Sequence, residues 1–558
     1  MASDPKEAEQ IQKVSPSNPV AEAYNYYSLG LWAEMKGNWE EAADSYQKAV
    51  QCQGESLYLR MSLASLYLRM GRWADALSQT EDVLRRDPRN IEAYSLMGSV
   101  YASLQNYSKA EESLKKALSL DPEREDLYFL LGGLYGQSKE YEKAISLYRE
   151  LGRLKPGSPL PSYHLARIYL DRKMLPEARE NLMEALSKDA SFEDATFALA
   201  YSYEMEERYD EAKEVYLRAL EDDPERAEAH QRLISIYVRQ RNLERALEHC
   251  RLLLIADPDS LEAKRMMGLI QMERKSYEEA AAIFREVLDQ DPNDQNSRLN
   301  LGLSLEELGR YEEALASFSK ISREDPLYQE GLIHRGYVAT LLGKLDEAIA
   351  AYQESLISNS DRASIHFFLG LTYMRKKDYG QAIVSLDRAK SLDPSKEDYC
   401  FQLGAAYERN EELEKAEREF KEVLRINPNH AEAYNYLGYM YADRGIKLDE
   451  AISHIQKALV LEPSNGAFVD SLGWAYFKKG MLDEAIRELN RSIGLLTKDD
   501  ATIHEHLGDA YFEKGLIRKA ISEWEKSLQL ESDNREEIGK KIEEGKRRLI
   551  LNPNPDQE

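Results

Sequence analysis

The sequence predicts an all-α chain built as a solenoid of about 15 stacked helix hairpins. Three observations predict it: an alanine that recurs every 34 residues, prolines on the same period, and a small residue twelve places before most of those alanines. A fixed period of 20–50 residues is the mark of a repeat architecture, in which no single unit buries its apolar face alone.

The prolines punctuate the chain. Pro88, Pro122, Pro156, Pro224, Pro258, Pro292, Pro326, Pro394 and Pro428 lie 34 residues or multiples of 34 apart, most of them after Asp. Proline cannot continue a helix, so each marks a stop between hairpins. Alanine sets the register, running from Ala42 through Ala314 and Ala348 to Ala520; the step is 34 except from Ala416 to Ala451 and from Ala485 to Ala520, where it is 35. The two extra residues are expected in turns, near Asp443–Lys447 and Thr497–Asp500, where insertion costs least. Glycine or alanine twelve residues earlier, as at Gly30, Gly98, Gly302 and Gly473, lets two antiparallel helices approach closely. Leucine before it (Leu63, Leu131, Leu507) and tyrosine three residues after it (Tyr67, Tyr135, Tyr407) fill the layer between neighbouring repeats.

This pattern resembles the tetratricopeptide repeat, W-x2-L-G-x2-Y followed by A-x3-F and then P. The resemblance covers roughly residues 23–534, with mild departures: Ile234 replaces the small residue, and Ala190 and Ser360 replace the proline. It implies a right-handed superhelical solenoid. Residues 1–22 are expected to be a polar N-terminal segment, 535–551 a capping helix with acidic residues in its first turn and basic ones in its last, and 552–558 a disordered tail.

Bulk properties narrow the function. Charged residues make up 31% of the chain and the formal net charge is -26. Phosphate contacts need clustered Lys and Arg, so no nucleic-acid partner is expected. Cys52, Cys250 and Cys400 are far apart, lack metal-ligand spacing and cannot form a closed disulfide set. No apolar run reaches bilayer length. No nucleophile, base and metal set converges, so no catalytic residue, cofactor or metal site is expected. His504 and His506 flank Glu505, but residues two apart do not share a helix face; they are read as surface or groove histidines.

The remaining expectation is protein binding. In tetratricopeptide arrays the first helix of each pair lines the concave face. Carrying that over gives a candidate groove of Tyr163, Phe197, Tyr201, Tyr337, Phe367, Phe368, Phe401, Tyr436, Tyr439, Trp474 and Phe477. Aromatic side chains are good binding anchors, and the partners expected are proteins or extended peptides. The Lys, Asn, Asn, Lys, Arg set of the family's chaperone-tail clamps is not reproduced; Arg232, Arg239 and Arg265 form a local basic group read as ordinary ion pairing. The asparagine ladder of its sugar-transferase arrays is absent.

The C-terminal third is similar to a narrower group. Leu437-Gly438-Tyr439-Met440-Tyr441-Ala442-Asp443-Arg444, Asp470-Ser471-Leu472-Gly473-Trp474-Ala475-Tyr476 and His506-Leu507-Gly508-Asp509 with Trp524 resemble bacterial tetratricopeptide lipoproteins on the periplasmic face of the outer membrane. Some of that group are adaptors of carboxyl-terminal processing proteases. The resemblance implies such a protease as partner, and membrane anchoring through a lipidated N-terminus that this sequence lacks. The alternative reading is a cytoplasmic or envelope assembly scaffold without a protease.

Overall fold

The computed structural model describes residues 18–358, 360–530 and 534–551. Among them there are 31 α-helices and no strand. Thirty helices pair into fifteen hairpins, here numbered repeats 1–15. The chain divides into two compact units, one ending at Asp259 and holding repeats 1–7, the other starting at Ser260 and holding repeats 8–15 and the final helix. The first helix begins at Pro19, four residues before the expected start of the array, with the Asn18 side chain accepting from the Val20 N–H at 3.1 Å. The rest of the expected polar segment and the expected tail from residue 552 lie outside the described residues.

Local chemistry explains the hairpin. Between its two helices each repeat has one residue in the left-handed region, from Gly37 and Gly71 through Lys139, Lys275 and Gly343 to Gly515, except repeat 13, whose longer turn has two, Gly445 and Lys447. Glycine takes this conformation freely, whereas the lysines pay a strain of about 1 kcal/mol each. Between hairpins the Asp-Pro pair builds an Asx turn: the Asp87 carboxylate accepts from the Arg89 N–H at 3.1 Å and that of Asp291 from Asn293 at 3.0 Å. The side chain thus caps backbone that proline leaves unpaired.

All fifteen register alanines, Ala42 to Ala520, are completely buried. The small residue facing them makes room for something larger. A Cβ placed on Gly336 would lie 2.6 Å from the Tyr352 ring, one on Gly404 2.9 Å from Phe420, and one on Gly473 2.7 Å from Leu489. Each of these large side chains stands four residues after the alanine. The glycine therefore seats the large residue of its own hairpin, a role that the alanine spacing alone did not reveal.

Surface ion pairs link successive repeats at a separation of about one period, as in Arg124–Glu92 at 2.8 Å and Arg310–Glu278 at 3.0 Å. Such exposed pairs contribute at most about 1 kcal/mol each; stacking of apolar faces holds the array. The final helix, Arg535–Leu551, closes the second unit by burying Ile538 and Ile542 against Ile517, Ile521 and Trp524.

Candidate protein-binding face

In both units the first helix of a repeat packs on the second helix of the repeat before it, and first helices of neighbouring repeats also touch. This crowding makes the first-helix side the inner one. The residue just after the small position looks out from it: Leu31, Tyr201, Leu269 and Tyr337 are exposed there, and Leu303 and Leu371 are half-buried.

The candidate aromatic residues divide by what they touch. Tyr201, Tyr337 and Tyr436 keep 46%, 41% and 40% of their surface. Phe367 packs on Tyr399 with ring centres 4.8 Å apart, and Phe368 on Tyr352 at 6.2 Å. Phe401 lies against Tyr436 at 5.2 Å and Phe420 at 5.8 Å. In the first unit, half-buried Tyr163 meets Phe192 at 4.9 Å and Phe197 meets Tyr216 at 5.6 Å. Tyr439 and Phe477 are half-buried, while Trp474 is only 8% exposed. Its ring stacks on His506 at 4.0 Å and on Phe477 at 5.0 Å. Trp474 thus belongs to the packing between repeats 14 and 15 and offers little surface to a ligand.

Repeats 1–3 hold an open pocket that the aromatic search passed over. Its volume is about 510 Å³, and Ser62, Ser65, Ser95 and Ser99 line it together with Tyr27, Tyr58 and Glu34. A second pocket of about 300 Å³ shares Ser99 and continues to Phe129 and Gly133. Small residues on the first-helix face were the signal, and a search for aromatic anchors alone does not register them.

The two histidines overturn their surface reading. His504 and His506 are both buried. His504 Nδ1 lies 2.6 Å from Glu523 and His506 Nδ1 3.0 Å from Asp470. They face different helices, as residues two apart must, and both are packed over by neighbouring elements. Beside them Lys541 of the final helix donates to Glu505 at 2.9 Å and to Asp509 at 2.7 and 2.9 Å, and the Trp524 indole N–H donates to Asp509 at 2.9 Å. Burial opposes charge on the His506 ring, yet Asp470, Asp509 and Glu505 outweigh it and hold the ring above its ordinary pKa. Burial also pushes Asp509 up, with Lys541 and the Trp524 indole only partly offsetting it. This cluster fastens repeats 14 and 15 to the final helix. Arg265, from the local basic group, is ion-paired with Asp294 at 2.7 Å.

Among the described residues no group of three or more His, Cys, Asp or Glu side chains is placed to hold a metal ion, and no helix is long and apolar enough to cross a membrane.

Family models described as "Tetratricopeptide repeat" match residues 61–159 in two overlapping hits, 203–332 in two consecutive ones, 335–397, 397–430 and 471–535. Together they span well over half of the chain. The chain belongs to the tetratricopeptide-repeat family. Such arrays are scaffolds for protein–protein interaction, and the matching models describe the repeat rather than an enzymatic domain.

Two curated relatives are similar to short stretches of this tetratricopeptide array. Superkiller complex protein 3 of Mus musculus is 32% identical over 96 residues, 16% of this chain and 6% of the relative. Anaphase-promoting complex subunit 3 of Schizosaccharomyces pombe is 31% identical over 93 residues, 16% of this chain and 14% of the relative. The chain thus matches only a small part of either. Among solved structures, the APC/C hetero-tetramer Cut9-Hcn1 is 20% identical, covering 95% of this chain and 98% of that one with a TM-score of 0.32, too low to carry a residue-level correspondence.

Proposed function

We propose that this tetratricopeptide array is a non-catalytic adaptor. It captures extended polypeptide on the first-helix face of repeats 10–14 and holds a carboxyl-terminal processing protease on another surface, at the periplasmic face of the outer membrane. The observation that carries the capture reading is the pair of exposed rings Tyr337 and Tyr436, set among half-buried Phe367, Phe368 and Phe401. Many weak contacts along one face raise the effective concentration of a bound chain. The protease and the location rest on the resemblance of the C-terminal third. Adaptor action then requires only that substrate and protease be held close together.

The test uses Tyr337→Ala/Tyr436→Ala. The two residues keep 41% and 40% of their surface exposed, so the melting midpoint is expected to fall only a little while capture of an unfolded polypeptide weakens about tenfold or more. Unchanged capture would remove the aromatic face from the account. Affinity capture from the native cell tests the protease. If no carboxyl-terminal processing protease is recovered, the assembly-scaffold reading takes over. The names of the two curated relatives, both of which denote members of complexes, favour that reading as the second one.

A further inference from the structure

Fifteen hairpins in one register let each surface position be read against its fourteen counterparts. On the second helix, the sixth residue after the register alanine is Lys, Arg, Asp or Glu in fourteen repeats and leucine only in repeat 7, at Leu252. The fifth residue is polar or charged in thirteen repeats and apolar only in repeats 5 and 6, at Met183 and Leu217. These departures fall on three successive hairpins, whose second helices are Leu175–Lys188, Tyr209–Asp222 and Leu243–Ala256, all within the first compact unit. Met183, Leu217 and Leu252 are 51%, 41% and 41% exposed, and Ile255, one turn beyond Leu252, is 76% exposed. Packing within the hairpin does not ask for apolar residues there, since the other repeats fold with polar ones. Single exposed apolar residues are ordinary. Ile357 and Val460 are of that kind, with Gln353, Glu354, Gln456 and Lys457 at the two positions that turn apolar in repeats 5–7. Four on adjacent hairpins form a row.

A second row runs beside the first. Glu180, Glu214 and Glu248 share one register, two residues after the alanine. They stand three or four residues before Met183, Leu217 and Leu252, and so on the same helix face. All three are exposed, and no other three successive repeats carry carboxylates there. Glu180 has no ion-pair partner among the described residues. Glu214 and Glu248 meet only exposed arginines of their own helices, Arg218 at 2.6 Å and Arg245 at 2.7 Å, weak pairs that a partner's cation can replace. Glu184 and Glu221 add two exposed carboxylates to this face and Arg251 one cation.

We infer that the second-helix face of repeats 5–7 docks an amphipathic helix of another protein, its apolar stripe bordered by Lys or Arg. The apolar row sets the shape. Helices pack about 8–10 Å apart, so a row across three hairpins spans about 20 Å, the length of about 13 helical residues. The glutamate row sets the sign of the charge. It also disfavours a second copy as the occupant, because a chain of formal net charge -26 would bring further carboxylates to it. The inference goes beyond the adaptor reading: it places a partner on a surface apart from the aromatic face, and it holds whether or not that face captures polypeptide.

Two labelled helical peptides of about 18 residues, long enough to cover the row, test it by fluorescence anisotropy against the full chain. Both carry the same leucine stripe; one is bordered by lysines and the other by glutamates. The lysine-bordered peptide is expected to bind, and the glutamate-bordered one about tenfold more weakly. Leu217→Glu, and separately Met183→Glu, should weaken the first about tenfold or more. Both positions are half-exposed, so a melting curve close to the parent's verifies that the variants fold. Glu180→Lys/Glu214→Lys/Glu248→Lys should reverse the preference between the peptides. Tyr337→Ala/Tyr436→Ala should leave it intact, which separates this site from the aromatic face. The inference is overturned if neither peptide binds, if the two bind alike, if the three Glu→Lys changes leave the preference as it was, or if the tyrosine variant abolishes binding. It is also overturned if the chain sediments as a dimer that Leu217→Glu returns to a single copy, since a second copy then covers the row.

Discussion

Replacing Lys541 with alanine is expected to destabilise the C-terminal end by an amount toward the lower end of the ~3–5 kcal/mol found when one partner of a buried ion pair is removed. Lys541 is the ammonium shared by Glu505 and Asp509, and its side chain is 24% exposed, which tempers the cost. Without it two buried carboxylates face each other. Coupling in a repeat array runs mainly between neighbours, so repeat 15 and the final helix should unfold in a separate transition at lower denaturant. Adding Glu505→Gln and Asp509→Asn to the lysine variant should recover part of the loss, because the uncompensated charge is then gone. The same cluster sets a pH dependence. His506 is held above its ordinary value when folded, so its contribution is fully present below about 6.5, the unfolded value, and is lost as pH rises through the folded one. Asp509, also raised, acts with the same sign at lower pH. Hydrogen exchange of the last two repeats, followed against pH, should show protection falling as pH rises, and His506→Gln should flatten that slope above about 6.5, the unfolded value. Protection that rises with pH would contradict the assignment.

Gly336→Val is expected to cost about 1–3 kcal/mol by overpacking. A Cβ there would already stand 2.6 Å from the buried ring of Tyr352, and valine adds two methyl groups beyond it. Ala348→Leu, from the opposite side of the same hairpin, should cost a similar amount, since Ala348 is completely buried. Gly133→Ala is the internal control. It lies in a helix with nothing within 4 Å of the added Cβ, so it should be neutral or stabilise by up to about 1 kcal/mol. Denaturant midpoints for the three variants check the set; equal midpoints for Gly336→Val and Gly133→Ala would mean that the hairpin contact is misassigned.

The fold was legible because the sequence repeats its constraint fifteen times. Ala348 alone says little, but the same residue at every period, buried each time, fixes the hairpin register. The binding face was less legible. Tyr337 stands just after its small residue and is exposed, but Phe368 and Tyr436 both stand two before theirs, and Phe368 is half-buried on Tyr352 while Tyr436 keeps 40% of its surface. Register along the helix therefore does not by itself separate the exposed rings from the packed ones. Trp474 occupies the same outward position as Tyr337 and is nevertheless buried. The first helices of repeats 13 and 14 pack directly on each other, and the Trp474 indole N–H reaches Asp443 at 3.4 Å. Closure of that kind depends on how a one-residue insertion turns the next hairpin, which no local pattern encodes. His506 failed for a related reason: its cover comes from Asp470 and Trp474, a full period away in the chain.

The central claim is that polypeptide is captured on the first-helix face. Photo-crosslinking from single positions tests it most directly. A crosslinking residue at position 337 or 436 should join covalently to a bound unfolded polypeptide. The same residue at 384 or 460, where Val384 and Val460 stand exposed on second helices, should not. Crosslinks confined to 384 and 460, with none from 337 and 436, would contradict the account.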